Sequence, residues 1–327
     1  MLLRGSTSRR KGMGMDDHGN PTKPHPEAPR DSVPGMTPDT MIAVLAGMFE
    51  TVRAYLLSAG REASARGAVN TNPKGEATRA FDAEAERLAL DVAARRLGAF
   101  RAFSEEQGEL TIGGEPPQWT LVIDPCDGSN NFRRGVRATG FAVAVLPADA
   151  PLDPRLVEYA LCGDIFTGSV YSAVRGQGAR LDGQPCRASS IQDLRQAMVS
   201  INIGRIHRLD TGPSHNSPRQ DEDGELPMPE DSLRLMSAIS TARRIGATVL
   251  DLCYVAQGAF DAYVDVRGRL TAENFMAPAL IIAEAGGVFS DAAGRPLGPV
   301  EFTAPHNVVA AGNAELHAQI LATLRAR

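Results

Sequence analysis

The sequence predicts a protein of the α/β class, because strand-like and helix-like segments alternate along much of it. Apolar segments of strand length recur in the first half, at 119–124, 139–146, 156–163 and 168–174. In the second half such segments alternate with apolar-periodic stretches of helical length, the pattern of α/β units. With 327 residues, the chain can bury two sizeable core layers, as one large domain or as two closely packed ones.

The first half begins with a segment that favours disorder. Residues 1–36 are rich in Pro, Gly and charged residues and have almost no apolar periodicity, so we expect a disordered tail. Residues 37–64 predict a long amphipathic helix whose core-facing stripe is Met41, Leu45, Met48 and Val52. A second helix is expected over 78–97, and Asp182-Gly183 is a strong hairpin signal.

The second half predicts further strands and helices around one long insert. We expect strands at 197–203, 259–266 and 308–311, and helices at 232–241, 249–257, 274–285 and from residue 313. The polar, Pro-containing segment 206–231 lies between the first of these strands and the first helix. A loop of that length is usually functional or disordered, so it could cover a pocket, form a subunit contact or stay disordered.

Composition narrows the function classes. A net charge of −5 argues against a nucleic-acid-binding surface. No run of about 18 apolar residues predicts a membrane span, and the basic start of the chain lacks the apolar region of a secretory signal. The cysteines show neither CxxC nor zinc spacing, which favours a reducing cytoplasm; they are Cys126, Cys162, Cys186 and Cys253.

The most informative motif is the apolar run from Trp119 that delivers Asp124 and Asp127 before a Gly128-Ser129 turn. Pro125 favours an extended Asp124, so we expect the strand to end there. The two carboxylates and the carbonyl between them are oxygen ligands of the kind that suits Mg²⁺. Gly128 and Ser129 could open a helix whose N-terminus receives a phosphate. An Asp-Pro turn with a capping Asp explains the motif alone equally well.

Acidic residues upstream strengthen the metal hypothesis. Glu105 and Glu106 follow a predicted helix and precede the Trp119 strand, and Asp82 opens that helix. Taken singly, the glutamates suit a solvated loop and Asp82 a helix cap. Three acidic clusters before one strand–turn–helix unit favour a shared site.

These segments together resemble the inositol monophosphatase family, the Mg²⁺-dependent, lithium-sensitive sugar phosphatases. Ser104-Glu-Glu resembles its glutamate motif, and Asp124-Pro-Cys-Asp-Gly-Ser-Asn-Asn-Phe132 its central signature. Arg244-Ile-Gly-Ala-Thr-Val-Leu-Asp251 resembles its substrate segment. The stretch Asp265-Val-Arg-Gly-Arg-Leu270 is closer to archaeal-type members, which accept inositol phosphates and fructose-1,6-bisphosphate. The resemblance covers roughly residues 38–325.

The resemblance implies a layered αβαβα sandwich, with a metal-binding α+β half at 37–190 and an α/β substrate half at 191–327. The active site is expected at the junction of the two halves. The implied metal ligands, for two or three Mg²⁺ ions, are Glu106, Asp124, the Cys126 carbonyl, Asp127 and Asn274.

Residues beside the implied ions receive catalytic and substrate roles from the same resemblance. Glu105 and Ser129 are expected to orient the nucleophilic water, and Asp82 to support the outer metal. Residues expected to bind substrate are Gly128, Ser129, Gly246, Ala247, Asp251, Asp265 and Arg267. Arg267 could contact a second phosphate, with a surface salt bridge as the simpler alternative.

One position departs from the family pattern. The family places a metal-binding Asp ten residues before a Glu-Ala-Gly-Gly, and here Asn274 stands there. An amide oxygen can still bind Mg²⁺, but with one negative charge fewer. Glu273 is adjacent, although neighbouring helix residues point about 100° apart and make it an awkward substitute. Pro278 replaces a small residue of the same signature.

We therefore expect a Mg²⁺-dependent phosphomonoesterase for a small sugar or polyol phosphate, with inositol-1-phosphate the first candidate. Fructose-1,6-bisphosphatase and histidinol-phosphatase activities are alternatives, and so is a non-catalytic relative that binds a phosphorylated ligand. The expected partner is a small phosphorylated substrate, without nucleic acid or membrane. A cytoplasmic location and a homodimer are also expected.

Overall fold

The computed structural model describes residues 36–64, 68–75, 77–114, 116–202 and 229–326. Residues from Met36 onward form one compact unit. The expected disordered tail lies, except for Met36, outside the described residues, as does 206–228 of the expected insert. The two expected halves stay a prediction.

The first half is built on strands. A hairpin of β1 (Ala68–Thr71) and β2 (Ala77–Arg79) precedes a large sheet. That sheet has eight strands among the described residues: β3 (Phe100–Ser104), β4 (Gly108–Ile112), β5 (Trp119–Asp127), β6 (Gly140–Pro147), β7 (Tyr159–Asp164), β8 (Val170–Val174), β9 (Ala179–Leu181) and β10 (Gln184–Cys186). Their order is β10-β9-β8-β7-β6-β5-β3-β4, and only β3 and β5 are parallel.

The second sheet mixes parallel and antiparallel pairs. Its order is β12-β11-β13-β15-β14, with β11, β12 and β13 parallel and β15 antiparallel to both neighbours. The strands are β11 (Met198–Asn202), β12 (Thr241–Arg243), β13 (Ala262–Leu270), β14 (Val288–Ser290) and β15 (His306–Ala311). The short edge strands β12 and β14 were missed by the sequence reading, because three residues give no readable alternation.

Helices cover the faces of both sheets. They are α1 (Pro38–Tyr55), α2 (Arg61–Ser64), α3 (Ala80–Leu97), α4 (Ser129–Arg134), α5 (Pro229–Ala238), α6 (Thr248–Ala256), α7 (Ala272–Glu284) and α8 (Ala314–Arg325). A π-helical turn, Leu56–Gly60, joins α1 to α2. The last residues of the expected insert, 229–231, belong to α5.

The layers follow from which residues share a core. Helices α6 and α7 pack between the sheets, where Val308 and Ala310 of β15 face them. The alternate residues Val309 and Ala311 face α8 in a separate core, as the period of two requires. Helices α1 and α3 pack on each other and on β7 and β5 of the first sheet. The order helix, sheet, helix, sheet, helix confirms the predicted αβαβα sandwich.

Helix α1 and its continuation form a stretch that is long and apolar enough, by composition, to cross a membrane: Pro38–Ala63, the one such stretch in the described part of the chain. The prediction that the chain has no segment of this kind was therefore too strong. The predicted stripe Met41, Leu45, Met48 and Val52 is fully buried against the core, which is how a core helix of a globular protein passes the same test.

Candidate active site

Strand β5 carries the central motif and ends differently from the prediction. The strand continues through Pro125 to Asp127, but its pairing with β6 is interrupted between Asp124 and Asp127. A proline has no N–H to donate, so it is tolerated where the ladder is interrupted. Asp124 is 1% exposed, and its Oδ1 accepts from the Cys126 N–H at 3.1 Å. The interruption therefore presents two carboxylates at the end of a buried strand.

The end of the strand and the turn after it contact the start of α6, which packs between the two sheets. Asp127 Oδ2 accepts from the Val249 N–H of α6 at 2.7 Å. Gly128 has φ +88°, and a Cβ there would lie 3.1 Å from the Ala138 carbonyl oxygen and 3.2 Å from the Cβ of Ala247, which precedes α6. A glycine is required by both the backbone conformation and the space. Helix α4 then begins at Ser129, as predicted.

Ser129 lies against the acid at the start of α3. Its Oγ is 3.0 Å from Asp82 Oδ1 and 2.9 Å from the Cys126 carbonyl oxygen. Burial first, and then Glu106 and Glu105, raise the pKa of Asp82 to about 8. The structure therefore brings Asp82, Ser129 and Cys126 together.

The glutamate turn is held by residues that the sequence reading missed. The buried Glu86 accepts from the Ser104 hydroxyl at 2.8 Å and from the Glu106 N–H at 2.8 Å. Thr78 donates its hydroxyl to Glu106 Oε2. Burial, with Glu105 and Glu86 acting in the same sense, raises the pKa of Glu106 to about 7. Glu86 was hidden in the sequence because it lies on the apolar-periodic face of α3.

Lys74 is a second residue of the candidate site that was not predicted from the sequence. Its Nζ lies 2.9 Å from Glu105 Oε1 and 3.0 Å from Glu273 Oε1. Glu273, at the start of α7, therefore reaches the same acidic cluster as Glu105. A signal existed in the sequence, since Lys74 is the only lysine after Lys23.

Asn274 is tied to the helix end as well as to the cluster. Its Oδ1 accepts from the Thr271 N–H at 3.1 Å in a capping box, and its Nδ2 lies 3.3 Å from Asp124 Oδ2. The amide thus donates to Asp124, while the oxygen expected to bind metal caps α7. Pro278 lies buried inside the helix and removes an N–H that would reach the Asn274 carbonyl.

The charge of the cluster favours a hard cation. Burial, together with Glu105, Asp127 and Glu273, raises the pKa of Asp124 well above its usual value, and burial raises that of Asp127 to about 8. Glu273 Oε2 is buried and has no hydrogen-bond partner among the described residues. In that same part of the chain, no three His, Cys, Asp or Glu side chains form a ready-made metal cage. The donor set itself, carboxylates with an unsatisfied oxygen, fits Mg²⁺.

The expected substrate residues of the second half of the chain lie near the carboxyl ends of the parallel strands and at the start of α6. Asp251 is fully buried; its Oδ1 accepts from the Ser200 hydroxyl at 2.7 Å, and its Oδ2 has no partner among the described residues. Burial raises the pKa of Asp251 to about 7. Open α/β sheets bind ligands at this edge.

Arg267 is engaged by Asp265. The Asp265 carboxylate accepts from the Arg267 N–H at 3.1 Å, from Nε at 2.9 Å and from the terminal guanidinium nitrogen. The Arg267 side chain is 22% exposed, so the pair is half-buried rather than a surface salt bridge. Two residues expected to bind substrate therefore bind each other.

Gly246 and Ala247 lie beside the central turn. Asn131 of α4 donates Nδ2 to the carbonyls of Ala138 and Ile245, at 3.0 Å each, and lies 3.3 Å from the Gly246 carbonyl oxygen. This bridge and the contact of Asp127 with the start of α6 join the residues that are expected to bind metal to those that are expected to bind substrate. The second Asn of the central motif is thus a positioning residue.

Known proteins share both the sequence and the fold. The model of the inositol monophosphatase family matches residues 39–327. Fructose-1,6-bisphosphatase/inositol-1-monophosphatase of Methanothermobacter thermautotrophicus is 31% identical over 258 residues, 76% of this chain and 84% of that protein. Nus factor SuhB of Escherichia coli K12 is 29% identical over 232 residues, 71% and 74% of the two chains.

A solved structure of an inositol monophosphatase-fructose 1,6 bisphosphatase superposes with a TM-score of 0.67 and 26% identity, over 88% of this chain and 100% of that one. The family match extends across both sheets and every element that carries the acidic cluster. This chain therefore belongs to the inositol monophosphatase family and is a phosphatase, a phosphoric monoester hydrolase, of that kind.

Proposed function

We propose that the chain hydrolyses a small sugar or polyol monophosphate with Mg²⁺, and that inositol-1-phosphate is its first candidate substrate. The observation that carries the proposal is the meeting of Asp82, Glu106, Asp124 and Asp127 beside Ser129, at the junction of two sheets. A bound cation stabilises charged carboxylates that repel one another, and it also neutralises the phosphoryl oxygens of a phosphate monoester during hydrolysis.

The groups that would hold the ions are Glu106, Asp124, the Cys126 carbonyl and Asp127, with Asn274 the weakest of the set. When bound, Mg²⁺ supplies positive charge to the phosphoryl oxygens and to the leaving oxygen. Asn274 brings no charge, and its Oδ1 already accepts from the Thr271 N–H. We therefore propose weaker binding of the ion beside Asp124 than an aspartate at 274 would give.

The remaining side chains orient the reactants. Ser129 Oγ and Glu105 form hydrogen bonds with the attacking water and hold it in line with the leaving oxygen. The buried Asp251 carboxylate ties α6 to β11 through the Ser200 hydroxyl and so positions the proposed substrate segment that begins with Gly246 and Ala247. Asp265 is fully buried and fixes Arg267, the more exposed member of the pair, at β13.

A bisphosphate substrate is the second candidate, and one feature favours it. Five arginines are exposed in the two segments that Asn131 joins, which are α4 with the turn after it and the end of β12 with the turn after it: Arg133, Arg134, Arg137, Arg243 and Arg244. Among the described residues none of them forms a salt bridge. Guanidinium groups suit a distal phosphate, and the archaeal relative bears the name of a fructose-1,6-bisphosphatase.

A substrate panel tests the proposal and separates the candidates. Phosphate release with Mg²⁺ is measured from inositol-1-phosphate, fructose-1,6-bisphosphate, histidinol phosphate and adenosine 3′,5′-bisphosphate. We expect the monophosphate of a polyol to be hydrolysed fastest. Preference for a bisphosphate that is lost in an Arg134→Ala/Arg137→Ala variant would favour the second candidate, and no release from any compound would contradict both.

We also propose a cellular location and a partner for the protein. All four cysteines are buried and unpaired, which suits a reducing cytoplasm. A small phosphorylated substrate is the proposed partner, without nucleic acid or membrane. The homodimer expected from the family resemblance stays a prediction.

A further inference from the structure

Lys74 is an exception in a chain that otherwise relies on arginine. After Lys23 it is the only lysine, in a sequence with 34 Lys and Arg residues in all. Arginine presents a flat fork of donors, whereas a lysine ammonium is a compact point charge with three donors. The one lysine of residues 24–327 lies between two carboxylates of the candidate active site.

The contacts of Lys74 are close and shielded from solvent. Its ammonium lies 2.9 Å from Glu105 and 3.0 Å from Glu273, and its side chain is 15% exposed. Asn72 fixes the start of this turn, because its Oδ1 accepts from the Lys74 N–H at 3.1 Å. On the other side, Thr271 donates its hydroxyl to the same oxygen of Glu273 that Lys74 contacts. The ammonium is therefore held from both sides.

The two glutamates that hold the ammonium stand next to residues of the proposed ion-binding set. Glu105 directly precedes Glu106, and Glu273 directly precedes Asn274, whose Nδ2 lies 3.3 Å from Asp124 Oδ2. Lys74 therefore places a positive charge at the edge of the proposed ion-binding set.

We propose that Lys74 is a built-in cation of the active site, whose ammonium, held by Glu105 and Glu273, replaces one divalent ion that the carboxylates would otherwise bind. The inference rests on the proposed metal site and concerns the number of ions it takes. It also accounts for the departure at the start of α7. The family's acid at 274 is an amide here, and an acid stands at 273, where Lys74 neutralises it.

Calorimetric titration with Mg²⁺ tests the proposal by the number of ions bound. The Lys74→Met variant should bind one divalent ion more per chain than the unchanged protein, or bind its first ion at least about tenfold more tightly. The Lys74→Met/Glu273→Gln variant removes one positive and one negative charge, so its ion count should return to that of the unchanged protein. Lys74→Arg keeps the charge and should not gain an ion.

Thermal unfolding with a chelator and with Mg²⁺ gives a second readout. Lys74→Met should lose stability in chelator and regain it in Mg²⁺. If Lys74→Met does not fold in either condition, Glu273→Gln decides instead, because a cluster with one negative charge fewer should bind Mg²⁺ about tenfold more weakly. Unchanged ion number and affinity in the variants that fold would reduce Lys74 to a structural bridge and overturn the proposal.

Phosphate release by the unchanged protein reports separately on the proposed function. Release together with an unchanged ion count in Lys74→Met would sink the built-in cation alone. A gained ion in Lys74→Met without any release from the unchanged protein would sink the proposed function and leave the inference standing.

Discussion

At the scale of residues, the proposed metal binding depends most on Asn274. Its amide donates to Asp124 at 3.3 Å, and its oxygen accepts from the Thr271 N–H at 3.1 Å. An aspartate there could still cap α7, because one carboxylate oxygen suffices for the Thr271 N–H. The other carboxylate oxygen of that aspartate would face Asp124, so a negative charge would replace the N–H donor that Asn274 Nδ2 now offers.

The Asn274→Asp variant should therefore bind Mg²⁺ more tightly and turn over faster. We expect the Mg²⁺ concentration for half-maximal phosphate release to fall by about tenfold, since an added carboxylate beside Asp124 attracts the ion. A Mg²⁺ titration of activity measures it, with Asn274→Ala as the matched loss of the amide. If Mg²⁺ dependence and turnover are unchanged, Asn274 has no part in holding the ion.

Arg267 gives a second prediction at this scale. The Arg267 guanidinium is engaged by Asp265, so Arg267→Ala should free that carboxylate. We expect kcat/KM to fall by about tenfold for every substrate alike. The measurement is kcat/KM of the variant and of the unchanged protein on inositol-1-phosphate and on fructose-1,6-bisphosphate. A loss confined to the bisphosphate would instead assign Arg267 to a second phosphate.

At the scale of elements, the site depends on how α3 supports the turn between β3 and β4. Glu86 receives two donors from this turn, the Ser104 hydroxyl and the Glu106 N–H. Without Glu86 the Glu106 N–H would lose its acceptor, and the buried Ser104 hydroxyl would keep only the Gly108 carbonyl oxygen at 3.5 Å, which is costly in a protein interior. One helix therefore fixes the position of a predicted metal ligand on a neighbouring loop.

Glu86→Ala should lower the free energy of unfolding by about 3 kcal/mol, measured by urea denaturation, and reduce activity as well. Glu84→Ala is the matched control on the same helix, because its ion pair with Arg87 is exposed and such pairs contribute at most about 1 kcal/mol. Equal effects of the two substitutions would show that Glu86 does not support the turn.

The elements also show what a sequence can reveal. Helix α1 was predicted because burial on one face imposes a readable period on it, and the strand at Trp119 was predicted because burial on both faces makes it a continuous apolar run. The central motif revealed Asp124 and Asp127 because a proline and a glycine mark the turn. Lys74 and Glu273 were not paired in advance, since 199 positions separate them and only the packing of α7 on the first sheet brings them together.

At the scale of the whole molecule, the acidic cluster makes the stability of the fold depend on pH. Burial raises the pKa of Asp82 and of Asp127 to about 8 and that of Glu106 to about 7, whereas these groups titrate near a pKa of about 4 in an unfolded chain. Between about pH 4 and about pH 8 the folded protein therefore binds more protons than the unfolded chain. Stability from these groups must fall as pH rises through this window.

We expect the metal-free protein, in chelator, to have a lower Tm at about pH 8 than at about pH 6.5. Mg²⁺ should raise the Tm more at the higher pH, where the carboxylates are charged. A lower limit of about pH 6.5 avoids the titration of His317, whose pKa is lowered by burial. Protonation of His317 in more acidic solution would destabilise the fold. A Mg²⁺ effect independent of pH would contradict the linkage.

The most direct test of a metal-dependent phosphatase at this site is one assay on three proteins. Phosphate release from inositol-1-phosphate with Mg²⁺ is measured for the unchanged protein, for Asp124→Asn and for Asp149→Asn, an exposed acid remote from the motif. We predict release by the first and third and a loss of more than about 100-fold in the second. Equal release from all three would contradict the site, and no release from any would contradict the substrate.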